Sequence, residues 1–291
     1  MKKLVLFTLV LLSVATVAQA QVRKHKKKNS TAAGTLFGYW GYNRAYYTHS
    51  TIRFVGQNYD FRLKDVVAFD RPDKFRPSVY FNPKTITVPQ YNMRLGYYFK
   101  DKWAISFGVD HMKYVMADQN HVLLDGFIGI GVDSTWSGNY TDEPVVTDRE
   151  KFHYENTNGV NFLRFELTRS FNLFELGNQR QLAGVANLGA STGGILTFND
   201  LNFEGLHTFA TPSLSGYGVG VNGAFRLEFF RHFFMQMNVN LGVIHLTHVR
   251  TRPDDRNAFA RQALAYSEYN IAAGFLLYLR PKNGCDSCPN W

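Results

Sequence analysis

Residues 233 to 249 read FFMQMNVNLGVIHLTHV, with Phe233, Met235, Met237, Val239, Leu241 and Val243 alternating against Gln236, Asn238, Asn240 and Gly242. Successive side chains of a strand point to opposite faces, so this is one apolar face backed by an amide-rich one. The run is much longer than the usual 5–6 residue strand and suits a tilted crossing of a bilayer.

The same alternation recurs along the chain. It sets Tyr217, Val219, Val221, Phe225, Leu227 and Phe229 against Gly218, Gly220, Asn222, Arg226 and Glu228, and Ile271, Ala273, Phe275 and Leu277 against Glu268, Asn270 and Gly274. Residues 88–99 and 103–115 place Tyr91, Met93, Leu95, Tyr97 and Phe99, then Trp103, Ile105, Phe107 and Val109, on the apolar side. Arg94, Gly96, Ser106, Gly108 and Asp110 lie opposite them. Residues 159–170 offer Leu163, Phe165 and Leu167 against Arg164 and Glu166, and residues 181–194 alternate more weakly. The aromatic stretch TLFGYWGYNRAYY at 35–47 leaves its parity open.

Eight strands are predicted, joined alternately by short and long connections. The joins at 100–102, after residue 170 and at 231–232 are short, whereas 48–87, 116–158, 195–214 and 250–264 are long. Short periplasmic turns with long outer loops, and an even strand count, are the pattern of a transmembrane β-barrel. The segments 52–69 and 121–132 are themselves strand-like, which makes ten strands the alternative; as hairpins above the membrane they preserve the alternation of joins. The polar face, rich in Gly, Ser and Asn, suits a crowded barrel interior better than a water-facing surface.

The chain opens MKKLVLFTLVLLSVATVAQA, read as a signal peptide over 1–20 with an Ala18-Gln19-Ala20 cleavage site. No later run of 18 apolar residues supports a transmembrane helix. Of the net charge of +9, Lys2 and Lys3 and the five positive residues of RKHKKK carry seven, leaving +2 for the remainder. Basicity therefore belongs to a tail over 21–34, either solvated or touching anionic headgroups. An exported chain has little reason to meet nucleic acid. Cys285 and Cys288, in a C-terminal tail over 281–291, are read as a small disulfide loop in an oxidising compartment. No metal or cofactor is expected.

In strand pattern, loop asymmetry and signal peptide, residues 35–280 resemble the small eight-stranded outer-membrane barrels of Gram-negative bacteria, of the OmpX and OmpA transmembrane-domain kind. The resemblance implies an all-β antiparallel fold and an outer-membrane location, and carries no functional residues over.

Three groups of residues are candidates for function. Arg94, Asp110, Arg164, Glu166, Arg226, Glu228 and Glu268 have inward parity with signs nearly balanced, which predicts an ion-pair plug; a narrow polar channel is the rival. Outer loops carry Arg53, Arg62 and Lys64, and Arg250, Arg252, Arg256 and Arg261, against eight acids in 116–158. They are expected either to form one cationic rim for lipopolysaccharide phosphates or another polyanion, or to pair with the acidic loop. His245 and Thr247 share a lipid-facing parity near Glu268, a distant echo of a lipid A deacylase, weakened by Thr in place of Ser and by the inward parity of Glu268. His111, His245 and His248 read equally well as interface residues. The preferred reading is a structural or surface-binding barrel; a lipid A modifying enzyme and a narrow pore are the alternatives.

Overall fold

The computed structural model describes residues 29–279, except 75, 81, 83, 85–87 and 178–179. The signal peptide, most of the basic tail and the Cys285–Cys288 pair lie outside the described residues.

Eight strands make a ring: β1 (Thr35–Tyr47), β5 (Tyr91–Lys100), β6 (Trp103–Met116), β9 (His153–Leu176), β10 (Leu182–Phe203), β11 (Leu206–Phe229), β12 (Phe233–Arg250) and β13 (Phe259–Tyr278). Each pairs antiparallel with the next, and β1 pairs back onto β13 from Thr35↔Tyr278 to Tyr47↔Tyr266. The ring is an eight-stranded antiparallel barrel. Cross-strand partners run from Leu36 through Tyr97, Ile105, Leu167, Ala190, Val221, Leu241 and Ser267 to Tyr46, ten residues further along β1. With eight strands ~4.8 Å apart and a rise of ~3.3 Å per residue, that stagger tilts the strands by about 40°.

The alternation seen in sequence sorts the two faces of this wall. Phe233, Met235, Met237, Val239, Leu241 and Val243 are between 49% and 63% exposed on the outside, while Gln236, Asn238 and Asn240 are buried inside. Across ten residues of tilted strand this apolar column climbs about 25 Å, the height of a bilayer's hydrocarbon band. In β1 the inward positions are Thr35, Phe37, Tyr39, Gly41, Asn43 and Ala45, which settles the parity left open by its aromatics. The Phe37 ring lies flat on Gly96 of β5, where a Cβ would sit 2.1 Å from it.

At the end where β1 begins and β13 ends the turns are tight, as at Asp101–Lys102 and Phe230–Arg231, with Lys102, Phe230 and Arg231 at positive φ. The opposite end is more structured than its sequence suggests. The stretch expected as a loop at 195–214 is mostly strand, because β10 and β11 run on and join through Glu204 and Gly205, both left-handed. The join expected at 250–264 shrinks to 251–258.

The two extra strand-like segments stay out of the ring. β2 (Ser50–Gly56) continues the line of β1 beside β13, and β3 (Tyr59–Val66), β7 (His121–Ile128) and β8 (Gly138–Val146) follow it in turn. A two-residue strand, β4 (Ala68–Phe69), pairs with β6. This outer sheet turns Ile52, Phe54, Tyr59, Phe61, Leu63, Val122, Leu124 and Ile128 inward. They meet Phe152, Tyr154, Phe203, Ile244 and Leu246 in one apolar core above the polar lumen.

Candidate functional site

The lumen is built around two arginines and the glycine between them. Arg94 on β5 and Arg164 on β9 are both register partners of Gly108 on β6. A Cβ at Gly108 would lie 1.8 Å from Met93 O and 2.7 Å from Arg94 Cδ, so only glycine leaves space for Arg94 to cross the strand. Two residues on, Asp110 receives both guanidinium groups: Arg94 Nη2 at 2.6 Å from Oδ1 and Arg164 Nε at 2.9 Å from Oδ2. Asn92 Nδ2 donates to the same carboxylate at 2.5 Å and to Glu268 at 2.8 Å, and Asn240 Nδ2 donates to the other Glu268 oxygen at 2.8 Å. Glu166 sits 3.9 Å from Arg94 and accepts from Asn222 and Thr168 at 3.0 and 2.8 Å. The Arg164 guanidinium also donates to the Tyr266 hydroxyl.

A second polar layer lies nearer the end of the tight turns. Arg226 donates to Gln236 at 2.7 Å, lies 3.9 Å from Glu228 and stacks over Phe37 and Phe234. Glu228 is 3.0 Å from Arg180. The seven inward charges expected from sequence thus fall into two groups, one around Asp110 and one around Arg226. Their amide and tyrosine partners Asn92, Asn240, Tyr98 and Tyr266 are additions that parity shows as inward but gives no reason to single out. Burying two arginines costs several kcal/mol each unless charge partners and hydrogen bonds surround them. Asp110, Glu166 and Tyr266 supply the charge and part of the hydrogen bonding, while Arg94 Nε and Arg164 Nη1 are buried without an acceptor.

The catalytic alternative does not assemble. His245 Nδ1 lies 3.1 Å from the Tyr217 hydroxyl on the outside of the wall, and Thr247 donates to Ser215 O at 3.2 Å. Glu268 is buried in the lumen, register partner of Asn240, five residues from His245 on β12 and on the opposite face. Its inward parity, noted in sequence, keeps it away from His245 and Thr247. Tyr217 and His245 instead form an exposed amphipathic pair next above Val219 and Val243, of the kind found at a membrane interface, with Leu214 and Phe209 of β11 exposed still higher. Outside the lumen, Trp40, Tyr91 and His111 stack in sequence at 4.3 and 5.2 Å between rings.

The cationic residues split between two places. Arg53, Arg62 and Lys64 lie on the solvent face of the outer sheet, and Arg261 joins them from β13. Arg250 donates within its own loop to Pro253 O, and Arg252 is buried, donating at 2.7 Å to Phe203 O and at 3.1 Å to Glu204. Arg256 is exposed on that loop. Of the expected rim, Arg53, Arg62, Lys64 and Arg261 share one sheet face, Arg250 ends β12 opposite Phe259, two residues from Arg261, and Arg256 lies on the loop that follows. Acids of the neighbouring strands meet part of this face: Lys64 is 2.5 Å from Asp142, and Arg62 and Lys64 are each 3.5 Å from Asp125. Arg53 clamps Asp60 through Nε at 2.7 Å and a second contact, and hydrogen bonding to that guanidinium holds the Asp60 carboxyl below the usual range. Elsewhere burial pushes the Glu155 carboxyl up, but His153 at 2.9 Å and Thr157 outweigh it and leave it lowered. Among the described residues no cluster of His, Cys, Asp and Glu has the geometry of a metal site.

No protein-family model matches the chain, and no curated protein matches it in sequence. Solved structures do. The chain is similar to the outer membrane protein OprG from Pseudomonas aeruginosa at 11% identity, over 86% of this chain and 100% of that one, with a TM-score of 0.40. It is similar to the attachment invasion locus protein Ail of Yersinia pestis at 10% identity, 84% and 99% coverage and a TM-score of 0.29. Neisserial surface protein A follows at 8% identity, 84% and 97% coverage and 0.31. The likeness is one of barrel fold, and the ring of strand pairs in this chain carries that assignment on its own.

Proposed function

We propose that this chain is a sealed outer-membrane β-barrel whose working surface is its folded outer layer, a structural or surface-binding protein that holds lipopolysaccharide or another polyanion through cationic residues. The observation that carries the reading is double closure. The lumen is crossed by the buried Arg94, Arg164, Asp110 and Glu268 network, and above it by the aromatic core around Phe61. Eight strands leave an interior that side chains fill, so a lumen closed at both levels leaves no aqueous path and directs function to the outside. The outer surface in turn offers four cationic side chains on one sheet face, suited to phosphate.

Two measurements test this together. In planar bilayers the purified barrel gives a flat trace; steady single-channel steps would make it a pore. Incubated with lipopolysaccharide or heparin at low salt, it retains the polyanion and releases it as salt rises, the signature of charge recognition. Retention that ignores salt would remove the cationic face from the function.

A further inference from the structure

The register places three arginines in one row. Arg261 of β13 is the direct partner of Arg53 of β2, and Arg53 is the direct partner of Arg62 of β3. Like charges directly opposite one another destabilise a sheet, so such a row calls for counter-charge. Asp60 supplies it to Arg53 and Asp125 to Arg62. Arg261 has no acidic partner within ion-pair distance among the described residues; its Nε donates to Thr247 O at 3.0 Å and its guanidinium lies over Phe259. The Arg261–Arg53 end of the row is the under-compensated one.

Beside that end lies an open pocket of ≈ 430 Å³ lined by His49, Ser50, Thr51, Asp65 and Ala263. His49 Nδ1 lies 2.8 Å from Asp65 Oδ1, and Asp65 is held at a left-handed φ of 64°. Ala263 is the register partner of His245, which with Tyr217 forms the amphipathic pair next above Val219 and Val243. The pocket therefore opens at the level of that pair, of the kind that sits where hydrocarbon gives way to headgroups. Below it the outward side chains of β13 are small at Ala263, Ala265 and Ser267, between Val243 and Leu241 of β12 and Tyr46 of β1. That leaves a shallow trough below the pocket, from Ala263 to Ser267, closed at its foot by Tyr269 stacked on Tyr46.

We infer that the Arg261–Arg53 pair and the Ala263 pocket form the seat of one phosphorylated glycolipid of the membrane the barrel occupies. Its phosphate bridges the two guanidinium groups, its sugar lies against His49, Thr51 and Asp65, and an acyl chain follows the trough. This rests on the polyanion reading above and narrows it: the ligand is a lipid of the outer leaflet, held at the membrane surface, and the exposed loop residue Arg256 takes no part.

The test uses the full mature barrel in detergent, with native mass spectrometry counting bound lipid A in its bisphosphorylated and dephosphorylated forms. Heat-dependent gel mobility checks the fold of each variant. One bound bisphosphorylated lipid A is expected, at least tenfold tighter than the dephosphorylated form. R261Q/R53Q should weaken it tenfold or more, while R256Q leaves it unchanged. Since R53Q also releases Asp60, R261Q alone and A263L, which fills the pocket, serve as independent variants. Wild-type binding that survives R261Q, R261Q/R53Q and A263L would overturn the seat and leave the polyanion reading standing. Tight retention of a soluble heparin fragment without preference for phosphorylated lipid A would overturn the lipid assignment alone. Failure to bind either probe would overturn both.

Discussion

Arg94 Nη2 stands 2.6 Å from Asp110 Oδ1 in the middle of the barrel, with both side chains closed off from solvent. Removing one partner of a buried ion pair strands the other, at a cost of about 3–5 kcal/mol. Asp110 serves Arg164 as well, so Asp110→Ala strands two guanidinium groups. We expect a loss at the upper end of that range, read as a lower urea midpoint of tryptophan fluorescence. Arg94→Ala should cost less, because Arg164 still neutralises Asp110. Equal midpoints for the two variants would contradict the shared-carboxylate geometry.

The outer core should come apart without the barrel. Phe61 is fully buried and its ring lies 5.2 Å from Phe54 and 5.3 Å from Phe203. Phe61→Ala should cost about 3–5 kcal/mol in that core. Limited proteolysis would then cut the β2–β3 and β7–β8 hairpins, while heat-dependent gel mobility still reports a closed ring. Loss of both signals at once would show that the two layers fold as one unit.

Acid should loosen the outer sheet late. Asp60 has its folded pKa depressed by the Arg53 clamp, so its contribution is present above the unfolded carboxylate value and lost as pH falls through the depressed one. Its side chain is 33% exposed, so solvent screening keeps the effect small. Hairpin protease sensitivity should rise only below roughly pH 4, the ordinary aspartate range, and Asp60→Asn should show the looser state at neutral pH. An Asp60→Asn profile identical to wild type from neutral to acid would remove the clamp from the account.

Lipid A mass spectra of cells with the wild-type protein, with His245→Ala and without the protein should show the same acyl-chain count. Thr247 is tied to Ser215 O and Glu268 lies inside the wall, so His245, Thr247 and Glu268 do not converge. An acyl chain gained or lost with wild type and restored in His245→Ala would reinstate the enzyme.

The barrel was legible because its two faces demand different chemistry at every second residue, and Met235, Gln236, Met237 and Asn238 report that demand directly. The inward charges were legible for the same reason. Their partition into an Asp110 group and an Arg226 group was not, because it depends on register between strands distant in sequence. The outer core escaped notice for a different cause. Phe54 and Phe61 belong to a segment read as a hairpin above the membrane, and Phe152 and Phe203 to segments read as loops, and that these rings meet shows only when β2, β3 and β7 are aligned. Alternation within 52–64 nevertheless puts Arg53, Arg62 and Lys64 opposite those aromatics, a signal strong enough to separate them from Arg250, Arg252 and Arg256.

The seam between the first and last strands has a kinetic consequence. Thr48 donates to Ala265 O across 217 residues of chain, and the whole β1–β13 ladder spans comparable separations. Closing so large a loop forfeits entropy before any contact repays it, and topologies dominated by distant pairings fold slowly. The other seven joins of the ring can zip between nearer neighbours, but the cylinder stays an open ribbon until β13 arrives. A nascent chain lacking β13 would expose two unsatisfied edges, so the ring closes only once that strand has been made.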